Sequence, residues 1–174
     1  IFSIALLGRV DKYLSILASI SLISDMMPLL EYNRNLLRSV FAIYKHGEFL
    51  ALDLLGDNEE FNEQLIGMKI APRINSIGRL CEDTSINKIV KYFTSDDKEF
   101  ILAYYSHIVE MNDARKLLSK EEIDESTISP NDKAIILHGE YKEGIIGLIA
   151  NSIMNKYQLP TVVFTKSTDG NLKG

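Results

Sequence analysis

Residues 70–80 read IAPRINSIGRL and combine basic and amide side chains with large aliphatic ones. Pro72 fixes its own φ and restricts the residue before it, and Gly78 lacks a Cβ, so the sequence predicts a shaped loop. Residues 69–79 hold three basic side chains and no acidic one, although the chain has a net charge of −5. Guanidinium groups bind phosphate oxygens two at a time, which makes the stretch a candidate phosphate site. The alternative is a polar loop whose arginines pair with surface carboxylates.

The composition is that of an ordinary globular protein, with 46% hydrophobic and 25% charged residues in a chain of 174. This length buries a sizeable core in one or two domains. The net charge of −5 excludes a global basic field, so a nucleic-acid site must be a local patch. The single cysteine, Cys81, excludes an internal disulfide and fits a reducing compartment, and we expect the protein to be cytoplasmic.

The sequence predicts no membrane span, and its two ends indicate a longer protein. The opening IFSIALL is interrupted by Arg9, well short of the roughly 20 apolar residues that a membrane span needs. The chain begins without Met and ends directly after Lys173-Gly174, so we expect it to be part of something longer. His46, His107 and His138 lie far apart, without the spacing of metal ligands.

Hydrophobic periodicity predicts a helical region followed by an alternating one. The polar break at residues 126–132, which contains Pro130, separates the two regions. A strand, a helix and a strand in the second region predict a parallel pair with a right-handed crossover, and hence an α/β fold. The predicted elements are helices at 10–24, 33–45 (capped by Asn33), 48–55, 59–66, from Thr84 onward and at 95–123, a turn at 56–58, strands at 134–138 and 160–165, and a helix at 144–157.

Asp25 and two glycines stand at helix ends. Asp25 follows the helix predicted at 10–24, where a carboxylate is unfavourable with respect to the helix dipole. Either a neighbouring basic side chain or a bound metal ion would compensate, and the residues alone favour the basic side chain. Gly144 and Gly147 open the helix at 144–157, where N–H groups are able to receive an anion. Close helix–strand packing explains them better, because no glycine-rich loop precedes them.

Four segments together resemble the motifs of one family. Residues 70–80 are similar to the PRINAAGR signature of RecJ-type single-strand-DNA-specific exonucleases, members of the DHH phosphoesterase superfamily. Residues 19–34, with SDMMPL at 24–29, resemble the family's GTVADVVPL…NR, and EGIIGLIA at 143–150 resembles GVIGIVA. Residues 169–174 resemble the approach to its GSGRS motif, which itself falls beyond Gly174.

This resemblance implies an enzyme of defined chemistry. RecJ-type exonucleases degrade single-stranded DNA from 5′ to 3′ in DNA repair and recombination, and Mn²⁺ or Mg²⁺ activates water and neutralises charge on the phosphodiester. Asp25 matches the family's fourth motif, whose aspartate is a catalytic metal ligand. The DxD and DHH motifs that complete the metal site are absent from this chain, so we expect it to bind metal weakly and to be inactive by itself.

The resemblance also implies nucleic-acid contacts. Arg73, Asn75 and Arg79 match the fifth motif, which faces the active site across a cleft and contacts the nucleic-acid backbone. The alternative for Asn75 is to hold the loop together by bonding nearby backbone, and the alternative for Arg79 is a structural role. The chain has Tyr141-Lys142 where the family carries Trp-His, and Lys142 is a further candidate phosphate contact.

Met111-Asn112 and Arg115 match the family's LN…R pattern. Asn112 and Arg115 lie on one face of the predicted helix at i and i+3, and we expect them to tie this helix to a neighbour.

The implied organisation is an α/β protein in three segments. Residues 1–46 are expected to be the C-terminal end of a DHH domain, 47–128 a helical connector with the PRIN-type motif, and 129–174 the first half of a DHHA1-type domain. The expected partner is single-stranded DNA. No association with a membrane is expected, and the sequence does not indicate protein partners. Two alternatives remain, namely a DHH-type phosphodiesterase of short RNA or cyclic dinucleotides and a non-catalytic DHH-like replication scaffold. Intact DxD and DHH motifs upstream would identify an enzyme.

Overall fold

The computed structural model of the protein describes residues 8, 10–80, 84–121, 128, 133–167 and 170–174. These residues divide into two compact units. The first unit is Ile1–Asn75 with Lys88–Ile108, and the second is Ser76–Asn87 with Val109–Gly174. Cys81 and the predicted break at 126–132, apart from Ile128, lie outside the described residues.

The described elements confirm the predicted α/β class. A single helical turn (Glu63–Leu65) and a π-helical segment (Ile66–Ile70) precede the fourth helix, and a 3₁₀ turn (Glu143–Ile145) precedes the last one. In chain order the elements are α1 (Lys12–Ser24), α2 (Glu31–Ile43), α3 (Leu50–Leu55), α4 (Ala71–Leu80), α5 (Thr84–Thr94), α6 (Lys98–Glu121), β1 (Ile135–Gly139), α7 (Ile146–Tyr157), β2 (Thr161–Lys166) and β3 (Leu172–Lys173).

The first unit is helical and is organised around α1. Asp11 caps α1, because its carboxylate accepts a hydrogen bond from the Leu14 N–H at 2.9 Å. Ser15 and Ser19 are buried on this helix and donate to backbone carbonyls one turn earlier, so α1 packs closely against α2 and the π-helical segment. The core contains Ile16, Ile20, Leu37, Val40, Leu52, Leu55, Ile66, Ile70, Tyr92, Ile101 and Ile108.

The stretch predicted as a loop at residues 70–80 is helical, and that prediction is wrong. Pro72 lies in the first turn of α4, directly after the π-helical segment. The Ala71 N–H donates to the Ile66 carbonyl, a π-type bond to the residue five positions earlier. Pro72, which has no N–H to donate, follows this bond directly. Ile70 and Ile77 are almost completely buried, so packing decides the conformation. Gly78 has no positive φ and open space beside it, so no turn needs it.

The predicted cap of α2 is also wrong. Helix α2 begins at Glu31, and its cap residue Leu30 makes no side-chain hydrogen bond to the helix. Asn33 lies inside the helix, and its Nδ2 donates to the Pro28 carbonyl at 2.9 Å. The amide therefore closes the preceding loop rather than starting the helix.

The second unit contains the predicted βαβ arrangement. Strands β1 and β2 pair in parallel, with Ile135 opposite Thr161 and Gly139 opposite Thr165, and β3 adds to β2 in the antiparallel direction. Helix α7 connects β1 to β2 and covers one face of the sheet, as the burial of alternate strand residues shows. The core consists of Ile135, Leu137 and Val163 from the strands with Ile145, Ile149 and Ile153 from the helical side.

Candidate nucleic-acid interface

Asp25 is the C-cap of α1 and is exposed. Its backbone N–H bonds to the Ser21 carbonyl at 2.9 Å, and its carboxylate accepts a hydrogen bond from the Ser21 hydroxyl at 3.2 Å. Within the described part of the chain it forms no ion pair, so the basic neighbour favoured by the residues alone is not found there. The carboxylate stands at the negative end of a helix, a position that a cation would stabilise.

Asn75 meets the residue next to Asp25. Its Nδ2 donates to the Ser24 hydroxyl at 3.4 Å, and both Asn75 and Asp25 are exposed. Gly67 approaches the same end of α1, since a Cβ built on it would lie 3.6 Å from a side-chain carbon of Ile23. The fold therefore joins two segments that are 51 residues apart and that match separate family motifs.

Arg73 is held by a carboxylate from a distant turn. Its Nη1 and Nη2 donate to the two oxygens of Asp57 at 2.8 and 3.0 Å, and Nη1 also donates to the Leu55 carbonyl at 2.7 Å. The Arg73 side chain is 14% exposed. The hydrogen bonds from Arg73 hold the pKa of the Asp57 carboxyl well below its usual range. Arg73 is thus paired with a carboxylate, as the alternative interpretation of residues 69–79 predicts. The carboxylate belongs to Asp57, which lies outside that stretch.

Two further side chains complete the network around Asp57. The Tyr105 hydroxyl donates to Asp57 Oδ1 at 2.8 Å, and the Arg73 guanidinium lies 5.9 Å from the Tyr105 ring centroid. Lys69 Nζ lies 3.0 Å from Asp57 Oδ2 and also bonds to Glu59, and the hydrogen bonds to Glu59 and then Asp57 raise the pKa of Lys69. The network fixes the position and orientation of the Arg73 guanidinium.

Arg79 lies in the second unit and contacts the start of the last helix. It is exposed, and its Nη1 donates to the Gly144 carbonyl at 2.8 Å. A Cβ built on Gly144 would lie 2.3 Å from the Arg79 carbonyl oxygen, so only glycine fits there. The expected close approach at Gly144 is found, but against the end of α4 rather than a strand. Gly147 has nothing within 4 Å of its Cβ position.

Lys142 precedes that contact by two residues. It is exposed, and its side chain has no hydrogen-bond or ion-pair partner among the described residues. Its backbone carbonyl accepts a hydrogen bond from the Ile145 N–H at 3.0 Å.

Arg115 was expected to tie α6 to a neighbouring element, but its hydrogen bond lies within α6. Its Nη2 donates to Oδ1 of Asn112 at 3.1 Å, within the same helix, as the i, i+3 spacing predicts. Its Nε is buried and has no hydrogen-bond partner. Among the described residues no other element is bonded to this guanidinium. The i, i+3 spacing predicts the bond between Asn112 and Arg115. It does not predict that Arg115 Nε has no hydrogen-bond partner.

The predicted site residues fall into both units. Asp25, Arg73 and Asn75 belong to the first unit, and Arg79 and Lys142 belong to the second. No three or more His, Cys, Asp or Glu side chains come together as a possible metal site in the ranges that the structure covers. Over the same ranges no helix has the length and apolar character of a membrane span.

Comparisons with known proteins confirm the resemblance inferred from the motifs. No family model matches the chain. The chain is 25% identical over 170 residues to the single-stranded-DNA-specific exonuclease RecJ of Bacillus subtilis (strain 168), covering 91% of this chain and 21% of that protein. It is 27% identical over 143 residues to RecJ of Thermus thermophilus, covering 79% of this chain and 21% of that protein. The chain spans about a fifth of the length of these curated relatives.

Solved RecJ structures share the fold. The crystal structure of RecJ in complex with Mg²⁺ from Thermus thermophilus matches 93% of this chain and 27% of that chain, with a TM-score of 0.78 and 24% identity. The crystal structure of exonuclease RecJ bound to manganese matches 93% of this chain and 42% of that chain, with a TM-score of 0.73 and 26% identity. These structures contain the two metals that the resemblance implied.

Proposed function

We propose that this chain is part of a RecJ-type exonuclease that degrades single-stranded DNA from 5′ to 3′ with Mn²⁺ or Mg²⁺, in DNA repair and recombination. Similarity to RecJ over 91% of the chain supports the proposal. The structural observation that carries it is the contact between two motifs, because Asn75 bonds to Ser24 directly beside Asp25. A candidate metal ligand and a candidate nucleic-acid ligand thereby lie close together.

The proposed division of labour follows the three segments. Residues 1–46 form the end of a DHH domain, 47–128 form a helical connector with the PRIN-type motif, and 129–174 begin a DHHA1-type domain. In this division Asp25 supplies one ligand of the metal site, and the later segments supply phosphate contacts.

Asp25 would hold one divalent ion. Carboxylate oxygens suit Mg²⁺ and Mn²⁺, and Asp25 is exposed at a helix end that favours a cation. One carboxylate does not make a hydrolytic site, and the described residues offer no cluster of ligands around it. The other ligands would come from the part of the enzyme outside this chain. The chain by itself would therefore be inactive, and the bound metal would supply water activation in the whole enzyme.

The four candidate nucleic-acid residues would act on the phosphate backbone. Arg79 and Lys142 are exposed in the second unit, and Asn75 is exposed in the first. A phosphate that reached Arg73 would meet a guanidinium whose orientation Asp57 sets. Contacts of this type bind every base sequence alike.

The test is hydrolysis of a 5′-phosphorylated single-stranded oligomer by the intact enzyme with Mn²⁺, before and after Asp25→Ala. We expect the substitution to abolish most hydrolysis and to leave the melting temperature unchanged, because it removes an exposed metal ligand and no core volume. Asp113→Ala is the control, since Asp113 is an exposed carboxylate whose ion pair within the described ranges is with Lys116. It should retain activity.

Two outcomes would replace the proposal by its alternatives. Hydrolysis confined to short RNA or cyclic dinucleotides would identify a DHH-type phosphodiesterase. Binding of single strands without metal-dependent hydrolysis would identify a non-catalytic scaffold. Activity within a few-fold of wild type in Asp25→Ala, with a lowered melting temperature, would make Asp25 structural.

A further inference from the structure

Arg115 in α6 is a half-buried cation without an acidic partner in the described part of the chain. Its one hydrogen bond there goes to the neutral amide oxygen of Asn112, which is itself 5% exposed. Its Nε is buried without a partner. Buried polar groups in native proteins are almost always bonded, so an unsatisfied donor on a charged group calls for a bound ion, a water molecule or another conformation.

A second guanidinium lies near the first. Leu80, next to Arg79, and Leu118, one turn after Arg115, pack against the same buried cluster, so the end of α4 and the C-terminal part of α6 border one core. Arg79 makes its side-chain hydrogen bond to the Gly144 carbonyl, again a neutral acceptor. Burial and then the charge of Arg79 lower the pKa of Arg115.

The acid beside Gly144 does not neutralise this pair. Glu143 precedes Gly144, but its carboxylate binds Lys173 at 2.6 Å and also accepts a hydrogen bond from Ser167. Lys142, which precedes the 3₁₀ turn Glu143–Ile145, is exposed and adds a third basic side chain to this segment. Within the described residues the hydrogen bonds of both guanidinium groups thus go to neutral acceptors, and Glu143 is bonded to other side chains.

We propose that Arg115 and Arg79 bind one phosphate group of a nucleic-acid strand between them. This inference rests on the proposed function and adds Arg115, which no family motif discussed above assigns to DNA. Because Nε is buried, the Arg115 side chain would turn toward the phosphate, and it would gain a bond for a donor that has none at present. A guanidinium fork matches phosphate oxygens in pairs, and two forks hold one phosphate in a fixed position.

A structural role and a phosphate role predict opposite effects of Arg115→Gln. If Arg115 stabilises the fold, its removal lowers the melting temperature. If Arg115 is an anion ligand, its substitution removes a buried, unsatisfied charge and leaves the melting temperature unchanged or raises it. Lys116→Gln is the matched control, because Lys116 is the next residue, is exposed and pairs with Asp113 on the same helix.

The experiment titrates the intact protein with a labelled single-stranded oligomer at several salt concentrations. We expect Arg115→Gln to weaken binding about tenfold and to reduce the slope of log K against log salt by about 1, with no change in Lys116→Gln. Because Arg79 and Arg115 share one phosphate, the double variant should lose less affinity than the product of the two single losses. Arg115→Lys should recover only part of the affinity.

A second arm measures the melting temperature with added pyrophosphate at constant ionic strength. We expect stabilisation of the wild type that is lost in Arg79→Gln and in Arg115→Gln. This arm separates the two proposals, since it needs no DNA. If the wild type binds no single strand, the proposed function fails, and pyrophosphate stabilisation that depends on both arginines still establishes an anion site.

Three results would overturn the assignment of Arg115. The first is single-strand binding with unchanged affinity and salt slope in Arg115→Gln, which leaves the proposed function intact. The second is a lowered melting temperature or loss of folding in Arg115→Gln, which identifies a structural residue. The third is the absence of pyrophosphate stabilisation in a wild type that also fails to bind DNA.

Discussion

Arg73 and Asp57 form a two-pronged ion pair, in which Nη1 lies 2.8 Å from Oδ1 and Nη2 lies 3.0 Å from Oδ2. The pair connects the turn after α3 to the first turn of α4, and Tyr105 bonds to the same carboxylate. Arg73 thus has a structural contact as well as a proposed phosphate contact. The two roles are separable, because Asp57 takes part only in the first.

Asp57→Asn keeps the shape of the side chain and removes its charge. We expect the free energy of unfolding to fall by about 1–2 kcal/mol, in the lower part of the range for charged hydrogen bonds, because the Asp57 side chain is 37% exposed. Chemical denaturation measures this change. The control, Asp113→Asn, breaks an exposed i, i+3 pair and should cost less than about 0.5 kcal/mol. Equal effects in the two variants would show that the network around Asp57 adds no stability.

The same carboxylate predicts an acid dependence of stability. Hydrogen bonds from Arg73, and then from Lys69 and Tyr105, lower the pKa of Asp57 in the folded protein. The unfolded chain takes up this proton near pH 4, about the ordinary value, whereas the folded chain does so only at lower pH. The contribution of Asp57 is therefore complete above about pH 4 and is lost as the pH falls toward the folded-state pKa.

Unfolding curves between about pH 5 and pH 2 test this dependence. The wild type should lose more stability on acidification than Asp57→Asn, and the two curves should converge at the acid end. Parallel curves over the whole range would exclude a depressed pKa at Asp57.

Arg73→Ala should affect both roles. We expect a lowered melting temperature, because Asp57 loses its two-pronged partner and the Leu55 carbonyl loses a donor. We also expect weaker single-strand binding for every base sequence and a salt slope reduced by about 1, because one phosphate contact is lost. Titration of the intact protein well below its melting temperature measures the binding effect. Asp57→Asn serves as the comparison, and an equal loss of salt slope in both variants would mean that Arg73 acts only through the fold.

Gly144 and Gly147 form a matched pair within one short segment. Gly144→Ala would place a Cβ 2.3 Å from the Arg79 carbonyl oxygen, so the backbone must shift, and we expect the free energy of unfolding to fall by about 1–3 kcal/mol. Gly147→Ala lies in α7 with open space around it, and should be neutral or stabilising by up to about 1 kcal/mol. Thermal melts of the two variants decide, and equal effects would contradict the close approach at Gly144.

Local patterns predicted much of the fold. The parallel strands and the helix between them were predictable because each is a short apolar run with clear boundaries, as at Ile135–Gly139 and Thr161–Lys166. Strand β3 was not predicted, because two residues carry no periodicity. Helix α4 was not predicted either, because Pro72 and Gly78 usually mark breaks, whereas the π-helical segment and buried isoleucines override them here.

The candidate site depended on contacts between distant residues. The turn at residues 56–58 was predicted from its composition, but its pairing with Arg73 was not, because a separation of 16 residues leaves no periodic signal. The contact of Arg79 with Gly144 spans 65 residues and was equally unpredictable from local sequence patterns, although both residues were candidates for separate reasons. Motif similarity gave the candidate residues, and tertiary packing determines which residues they contact.

The π-helical segment Ile66–Ile70 sets the rotational phase of the helix that follows it. A π turn contains one residue more than a regular helical turn, and each residue of an α-helix rotates the chain by about 100°. Every side chain of α4 is therefore turned by about that angle relative to an uninterrupted helix starting at Glu63. Deleting one residue from this segment would change the composition hardly at all, yet it would turn Arg73 away from Asp57 and Asn75 away from Ser24. The alignment of these contacts is thus encoded in the length of the segment as much as in the residues that make them.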